Sequence, residues 1–383
     1  MGLNRRFAPV FLFLLVSLAQ ARAQEERPWW YILERGKLLF RQGDYGSALL
    51  AFEDARRQRY TLYAGMERDF INFLSTPEVR RIGDSLDLLE TYIKDREQMA
   101  AAEILAELYY RLPREAYRNS AALALEELGK FKEYPEAEYW IGEVYRLEGE
   151  LNLALGQYSK ALAGGALLED PALELELLYK TADLHRIRQE HKRMEETLLR
   201  IVNGNDARGR PWDPLWSGNA GSSGQFVRNS MARTLENSGP ARFLVMYRYN
   251  NGAVEKAHRL LGLYYYASSR YNLAEEHLMF AFLIQNSILI EELQRRRYDY
   301  IFESLETLMD SMDRREDLAN YMTQVDYYRC TYYLGSALYG IGKGSPAREL
   351  WSFLGGREQI GEWRGRALTQ LQRPSLEALI ENP

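Results

Sequence analysis

The sequence has 383 residues, of which 46% are hydrophobic and 27% charged, and its 49 basic and 54 acidic residues give a formal net charge of −5. A mildly acidic chain without a basic block disfavours nucleic acid and anionic lipid as partners. The single cysteine, Cys330, excludes an internal disulfide. It lies among tyrosines in a helical pattern, which predicts a buried small hydrophobe rather than a reactive thiol.

The N-terminus has the pattern of an export signal. Two arginines precede an apolar run from Phe7 to Ala19, and Ala21 and Ala23 then supply the small residues of a cleavage site. We predict a signal peptide over 1–23, cleaved after Ala23, because the run is shorter than the ~20 apolar residues of a spanning helix. An uncleaved anchor is the alternative, and a lipoprotein is disfavoured because no cysteine lies near the cleavage site. Without residues 1–23, which contain three arginines and no acidic residue, 46 basic residues face 54 acidic ones and the net charge is −8. The prediction is therefore a periplasmic protein with no integral membrane span after cleavage.

Internal repetition is the strongest signal in the sequence. In residues 36–55, small and aromatic residues follow one another at fixed spacing: Gly36, Gly43, Tyr45, Ala48, Phe52 and Ala55. A small residue in one helix lets the next helix approach, and a turn glycine ends the first helix where φ is positive. The aromatic side chain then fills the interface, so the spacing predicts a helical hairpin.

The same spacing recurs in four further units, around Gly142, Ala182, Gly262 and Gly335. Five units in one frame resemble tetratricopeptide repeats (TPR). The resemblance implies an all-α solenoid of helical hairpins that follows a right-handed superhelix. Between these units, helix-period runs predict degenerate repeats over 85–94, 98–111, 119–129, 282–297 and 301–312.

Helix breakers concentrate between Asn203 and Gly224 and predict an irregular loop there. We therefore predict an N-terminal TPR block over 24–202, a loop over 203–224 and a C-terminal TPR block over 225–383. The loop contains Trp212 and Trp216, which are expected to pack on the adjoining helices. A final helix from Gly361 to Leu371 has the polar face that a terminal capping helix needs.

A search for catalytic chemistry finds no constellation in the sequence. His185 and His191 are six residues apart, whereas a ligand pair on one helix face needs a spacing of three or four. The run over 340–345 lacks the Gly-Lys-Ser/Thr order of a phosphate loop. The run over 221–224 lacks the spacing and the strand of a nucleophile elbow. The sequence therefore predicts a protein that is not an enzyme and uses neither metal nor cofactor.

The TPR resemblance also implies where a partner binds, because the first helix of each hairpin lines the groove of such solenoids. Tyrosine and arginine, which are enriched at protein interfaces, occupy many of these lining positions. The predicted partner-binding residues are Lys37, Arg41, Tyr139, Glu143, Arg146, Tyr179, Asp183, Arg186, Arg259, Tyr266, Tyr332 and Tyr339. Trp30 and Arg329 occupy further lining positions.

These features favour an extracytoplasmic scaffold or adaptor that docks an extended peptide or a partner helix. The envelope assemblies that such a scaffold would serve are outer-membrane biogenesis, secretion or a periplasmic flagellar motor structure. The alternative is a TPR accessory protein of a solute transport system that binds a small hydrophobic ligand. Co-purification followed by mass spectrometry separates the two, because one yields a protein and the other a small molecule.

Overall fold

The residues that the computed structural model describes are 27–74, 129–206, 209–217, 222–312 and 315–379, with a few single positions between 84 and 126. Within them every regular element is a helix, and the pairing of Asn205 with Pro211 is an isolated bridge. The all-α prediction is confirmed. The helices are α1 (Trp29–Arg41), α2 (Tyr45–Leu74), α3 (Pro135–Leu147), α4 (Leu151–Ala163), α5 (Ala172–Ile187), α6 (His191–Asn203), α7 (Ser222–Met246), α8 (Gly252–Ala267), α9 (Tyr271–Arg296), α10 (Leu305–Met312), α11 (Glu316–Gln324), α12 (Tyr327–Gly340), α13 (Gly344–Gly355) and α14 (Glu362–Gln372).

Five pairs of consecutive helices form tight hairpins, namely α1–α2, α3–α4, α5–α6, α8–α9 and α12–α13. In each pair the turn residue at the same repeat position has a positive φ. The angles are 81° at Gly43, 82° at Gly149, 60° at Gln189, 57° at Ser269 and 82° at Gly342. A left-handed residue at this point ends the first helix and redirects the chain. Gln189 and Ser269 adopt it without the freedom of glycine, so the hairpin packing must hold them there.

A glycine in the first helix of four hairpins sits directly against a large side chain of the second helix. A Cβ added at Gly36 would lie 2.5 Å from the Phe52 ring, and one added at Gly142 would lie 2.6 Å from the Tyr158 ring. Gly262 stands in the same relation to Leu278, at 2.5 Å, and Gly335 to the Trp351 indole nitrogen, at 2.9 Å. These glycines are therefore required by helix-to-helix approach and not by backbone conformation.

The first compact unit contains α1 to α4. Its core joins Leu33 of α1, Phe52 of α2 and Ile141 of α3, all buried, and Trp140 stacks on Phe52 with ring centroids 5.9 Å apart. Because α3 packs on α2 as well as on α4, the two hairpins share one core. In the middle of α2, Arg59 is buried and donates to the carbonyl of Phe131 at 3.0 Å.

The second compact unit is built around α9, against which α8, α7 and α12 pack. Among the described residues α9 is the one helix long and apolar enough to cross a membrane, but 83% of its apolar window is buried. Such burial is typical of a core helix. The predicted degenerate repeat over 282–297 is therefore wrong as a separate hairpin, because these residues continue α9.

The chain divides into its two compact units between Pro171 and Ala172. This differs from the predicted division at the loop over 203–224. The α5–α6 hairpin belongs to the second unit because α6 packs on α8, and Arg270, in the turn that follows α8, pairs with Glu195 of α6 at 3.0 Å. The irregular segment itself is built into that unit, since Trp216 is buried and donates to the Asn203 amide oxygen at 3.0 Å.

Some predictions concern residues that the structure does not describe. The signal peptide and its cleavage after Ala23 are among them, as are most of the degenerate repeats predicted over 85–94, 98–111 and 119–129. The predicted terminal helix is present as α14 and is followed by a segment without regular secondary structure over 373–379.

Candidate functional site

The predicted lining residues of the first unit lie along α1 and α3. Trp30 is 54% exposed, Arg41 is exposed and Lys37 is half-buried. The Lys37 ammonium lies 5.9 Å from the centre of the Trp140 ring, which brings α1 beside α3. We call the surface formed by Trp30, Lys37, Arg41 and Arg146 the basic face. It combines one exposed aromatic side chain with three cations, of which Lys37 pairs with Glu34 at 2.6 Å and Arg146 with Glu143 at 2.9 Å.

Glu143 and Tyr139 do not belong to the exposed part of this face, because both are buried. Glu143 pairs with Arg146 at 2.9 Å and accepts a hydrogen bond from the Tyr158 hydroxyl. The bond to Glu143 raises the pKa of Arg146, and burial raises the pKa of Tyr158. Glu143 therefore acts as an internal anchor that fixes the Arg146 guanidinium at the surface.

The set on α5 mainly joins α5 to α8 of the same unit. The Tyr179 hydroxyl donates to the carbonyl of Ala253 at 2.7 Å, and Asp183 pairs with Lys256 at 2.9 Å. Lys256 also lies over the Tyr179 ring, 5.1 Å from its centre. Arg186 is the exposed member of the set. Two of the three residues thus have a structural partner within the unit.

Arg259 is largely buried and belongs to an internal network. It donates to Glu255 at 3.0 Å and lies 3.5 Å from Asp326, while Gln285 donates to the same Glu255 oxygen at 2.6 Å. Arg329 also approaches Asp326, at 3.6 Å. These arginines stabilise the junction of α8, α9 and α12. Little of either side chain is therefore accessible to a partner.

The predicted tyrosines of α8 and α12 contact the end of the described chain. The Tyr266 hydroxyl donates to the carbonyl of Glu377 at 2.9 Å, the Tyr332 hydroxyl to the Glu377 carboxylate at 2.9 Å and the Tyr339 hydroxyl to the carbonyl of Pro374 at 3.4 Å. Tyr266 and Tyr332 are buried, and burial raises the pKa of both hydroxyls. We call this surface, together with Tyr333, the tail site.

A buried cluster in the second unit was not predicted from the sequence. Asp213 lies 2.7 Å from His258, whose other ring nitrogen lies 2.9 Å from His277. Asp213 also accepts from the Trp216 amide at 2.9 Å and the Tyr249 hydroxyl at 2.6 Å. Burial lowers the pKa of His277 well below its usual value, with His258 contributing. Asp213 and His258 are 45 residues apart, so no local spacing signals their contact.

A cavity of about 450 Å³ in the first unit has a charged lining. Its walls carry the cations Arg56, Arg57, Lys132 and Lys160 and the acids Glu133 and Glu138. Tyr60, Tyr134, Pro135 and Ala163 complete the lining, so the cavity combines charged groups with apolar surface. In the part of the chain that the structure describes, no group of three or more His, Cys, Asp or Glu is arranged to hold a metal ion.

Comparison with known proteins gives one informative similarity. No family model matches the sequence. The chain is similar to an uncharacterized protein of Treponema pallidum (strain Nichols), with 23% identity over 364 residues. The alignment covers 94% of this chain and 95% of that protein. The similarity therefore spans both compact units, and the name of the relative assigns no activity.

Proposed function

We propose that the protein is an exported TPR protein that holds partner proteins on the first helices of its hairpins. The observation that carries this proposal is one hairpin geometry repeated five times, with a left-handed turn residue at the same position each time. Four of the hairpins add the same contact between a first-helix glycine and a second-helix side chain. Hairpins of this kind stack into solenoids that offer an extended surface to a partner. Holding a partner, rather than catalysis, is the function that such a surface serves.

The basic face of the first unit is the surface that best suits a protein partner. Trp30 offers a large exposed ring, and Lys37, Arg41 and Arg146 offer donors to carboxylates. Arginine and tryptophan are enriched among the residues that dominate interface energies. The buried Glu143 holds Arg146 in place before binding, which lowers the entropy lost on association. We infer that the partner presents an extended segment or a helix with acidic side chains.

The export signal predicted at the N-terminus supports a partner outside the cytoplasm. An envelope assembly is then the setting, with outer-membrane biogenesis, secretion and a periplasmic flagellar motor structure as the candidates. The alternative is a small hydrophobic ligand, and the cavity in the first unit, with Tyr60, Tyr134 and Pro135 in its lining, is a place where such a ligand would bind. That alternative remains as an outcome of the experiment below.

Site-specific photo-crosslinking in the native envelope tests the proposal. A crosslinking amino acid is placed at Trp30 or Arg41 of the full chain, and at the exposed Leu50 and Leu153 on α2 and α4 as matched controls. We expect one protein partner to be captured from Trp30 and Arg41 and not from the controls. Capture from the controls alone would refute the binding face. Recovery of a small molecule in place of a protein would favour the solute-transport alternative.

A further inference from the structure

The segment over 373–379, which has no regular secondary structure and which we call the tail, follows α14 and contacts the first helices of two hairpins. Tyr266 of α8 and Tyr332 and Tyr339 of α12 all direct their hydroxyls to it. These are residues for which the TPR resemblance implies partner binding. The second unit therefore already holds a peptide on its predicted lining, and that peptide is part of its own chain.

Most of the contacts at the tail site are hydrogen bonds with main-chain groups of the tail. Tyr266, Tyr339 and Tyr333 donate to the carbonyls of Glu377, Pro374 and Ala378 at 2.9, 3.4 and 3.5 Å. The amide of Ser375 donates to the Gln370 side-chain oxygen at 2.8 Å. Every extended peptide has such carbonyls and amides, so these contacts do not depend on the tail's own side chains.

One contact of the tail site selects a side chain. The Glu377 carboxylate accepts from the Tyr332 hydroxyl at 2.9 Å and pairs with Arg366 of α14 at 3.1 Å. Gln370 donates to the Tyr332 hydroxyl at 3.1 Å, which orients that hydroxyl towards the carboxylate. A charge-assisted pair of donors of this kind favours an acidic side chain over a neutral one.

The tail is held by few side chains of its own. Leu376 is exposed, Glu377 and Arg366 keep about a quarter of their side-chain surface, and two of the tyrosine bonds are as long as 3.4 and 3.5 Å. A segment tethered to its site has an effective concentration in the millimolar range, so modest contacts suffice to keep it bound. A partner segment with the same main-chain contacts and further contacts of its own can therefore displace it.

We propose that the tail site is a binding site for an extended segment with an acidic side chain, and that residues 373–379 occupy it until such a partner displaces them. This inference rests on the proposed function, because it takes partner binding as the purpose of the surface. It adds the chemistry of the ligand, which is an extended main chain and one carboxylate. It also adds competition by the chain's own C-terminal segment.

The test uses a fluorescent peptide with the sequence of residues 373–379 and measures its binding by anisotropy. It compares the full-length chain with the Glu377→Lys variant, in which the resident tail loses its carboxylate. We expect the peptide to bind the variant at least tenfold more tightly than the wild type. A peptide with glutamine at position 377 should bind the variant at least tenfold more weakly than the natural peptide.

Glu358→Lys, which makes the same charge change at an exposed side chain of the same unit, is the matched control and should bind like the wild type. Circular dichroism and thermal denaturation establish that both variants fold. Equal binding to wild type and Glu377→Lys, or no binding to either folded protein, would overturn the proposal. A dimer of the wild type in light scattering would assign the site to the tail of a second copy and would also overturn it. The crosslinking experiment at the basic face tests the proposed function on the first unit. Its result does not depend on the result of this peptide-binding experiment, so the two proposals can fail separately.

Discussion

In the first unit, the predicted lining residues Lys37, Arg41 and Arg146 reach solvent, whereas in the second unit Tyr266 and Tyr332 are covered by residues 373–379. The same repeat positions select the residues in both cases. The second unit differs because two irregular segments, the one around Asp213 and the tail, are built into it. Repeat position therefore specifies the helix face on which a residue lies. Contacts between neighbouring helices and segments outside the repeat together decide whether that face is open.

The largest effect on stability that tests this comparison is expected from a substitution of Asp213. The carboxylate is fully buried and accepts from His258, the Trp216 amide and the Tyr249 hydroxyl. Removing one partner of such a buried network leaves the others unsatisfied, so Asp213→Ala should lower the free energy of unfolding by about 3–5 kcal/mol. Urea denaturation measures it, with Asp299→Ala at an exposed side chain as the control. A loss below about 1 kcal/mol would mean that the irregular segment lies over the helices without contributing much to the stability of the unit.

The next effect concerns Glu275, a carboxyl on α9 that is only 3% exposed. Burial, with Glu276 nearby, raises its pKa from 4.5 to about 8. Between these values the unfolded state releases a proton that the folded state keeps, so this group's contribution to stability falls as pH rises. Glu275→Gln removes that titration. The free energy of unfolding of the variant, measured relative to that of the wild type, should therefore rise by roughly 2 kcal/mol between pH 5 and pH 7. Urea denaturation at both pH values tests it, and a difference that stays constant with pH, as expected for Glu358→Gln, would contradict it.

In the first unit the largest effect is expected at a hairpin contact rather than at an irregular segment. A Cβ at Gly142 would lie 2.6 Å from the Tyr158 ring, so Gly142→Ala should destabilise the unit by about 1–3 kcal/mol through overpacking. Gly156 on α4 has open space around it, and Gly156→Ala should stabilise α4 by up to about 1 kcal/mol. Hydrogen exchange of α3 and α4 measures both. A Gly142→Ala variant that is as stable as the wild type would show that the hairpin does not depend on this contact.

The sequence and the structure agree where the repeat governs and differ where long-range contacts do. The repeat spacing predicts a turn at Gly43 and at the equivalent Gly149 of the next unit, and both residues have the positive φ that ends the first helix. Spacing could not show that Asp213 meets His258, since the two are brought together only by tertiary packing. Spacing also could not show that Glu377 covers Tyr332, because a single sequence contains no signal of which surface an extended tail will contact.

A smaller effect is expected at the tail site. Tyr332→Phe removes a buried hydroxyl that donates to Glu377 and accepts from Gln370. The lost bonds should cost about 1–2 kcal/mol, because the Gln370 amide then lacks a partner for this donor. Faster hydrogen exchange at the Ser375 amide should accompany the loss, since Gln370 also holds that group. Tyr298→Phe, at a ring that is 98% exposed, is the control. Unchanged exchange at Ser375 would mean that the tail is held by its other contacts.

The smallest effect on stability is expected at the basic face. Arg41 is exposed at the end of α1, so Arg41→Ala should change the free energy of unfolding by less than about 0.5 kcal/mol. The same variant should nevertheless capture less of the protein partner, because the guanidinium is proposed to meet that partner and not the rest of the chain. Thermal denaturation and quantitative pull-down from an envelope extract measure the two quantities on one preparation. A loss of stability above about 1 kcal/mol would assign Arg41 to the fold, and the basic face would then resemble the covered face of the second unit.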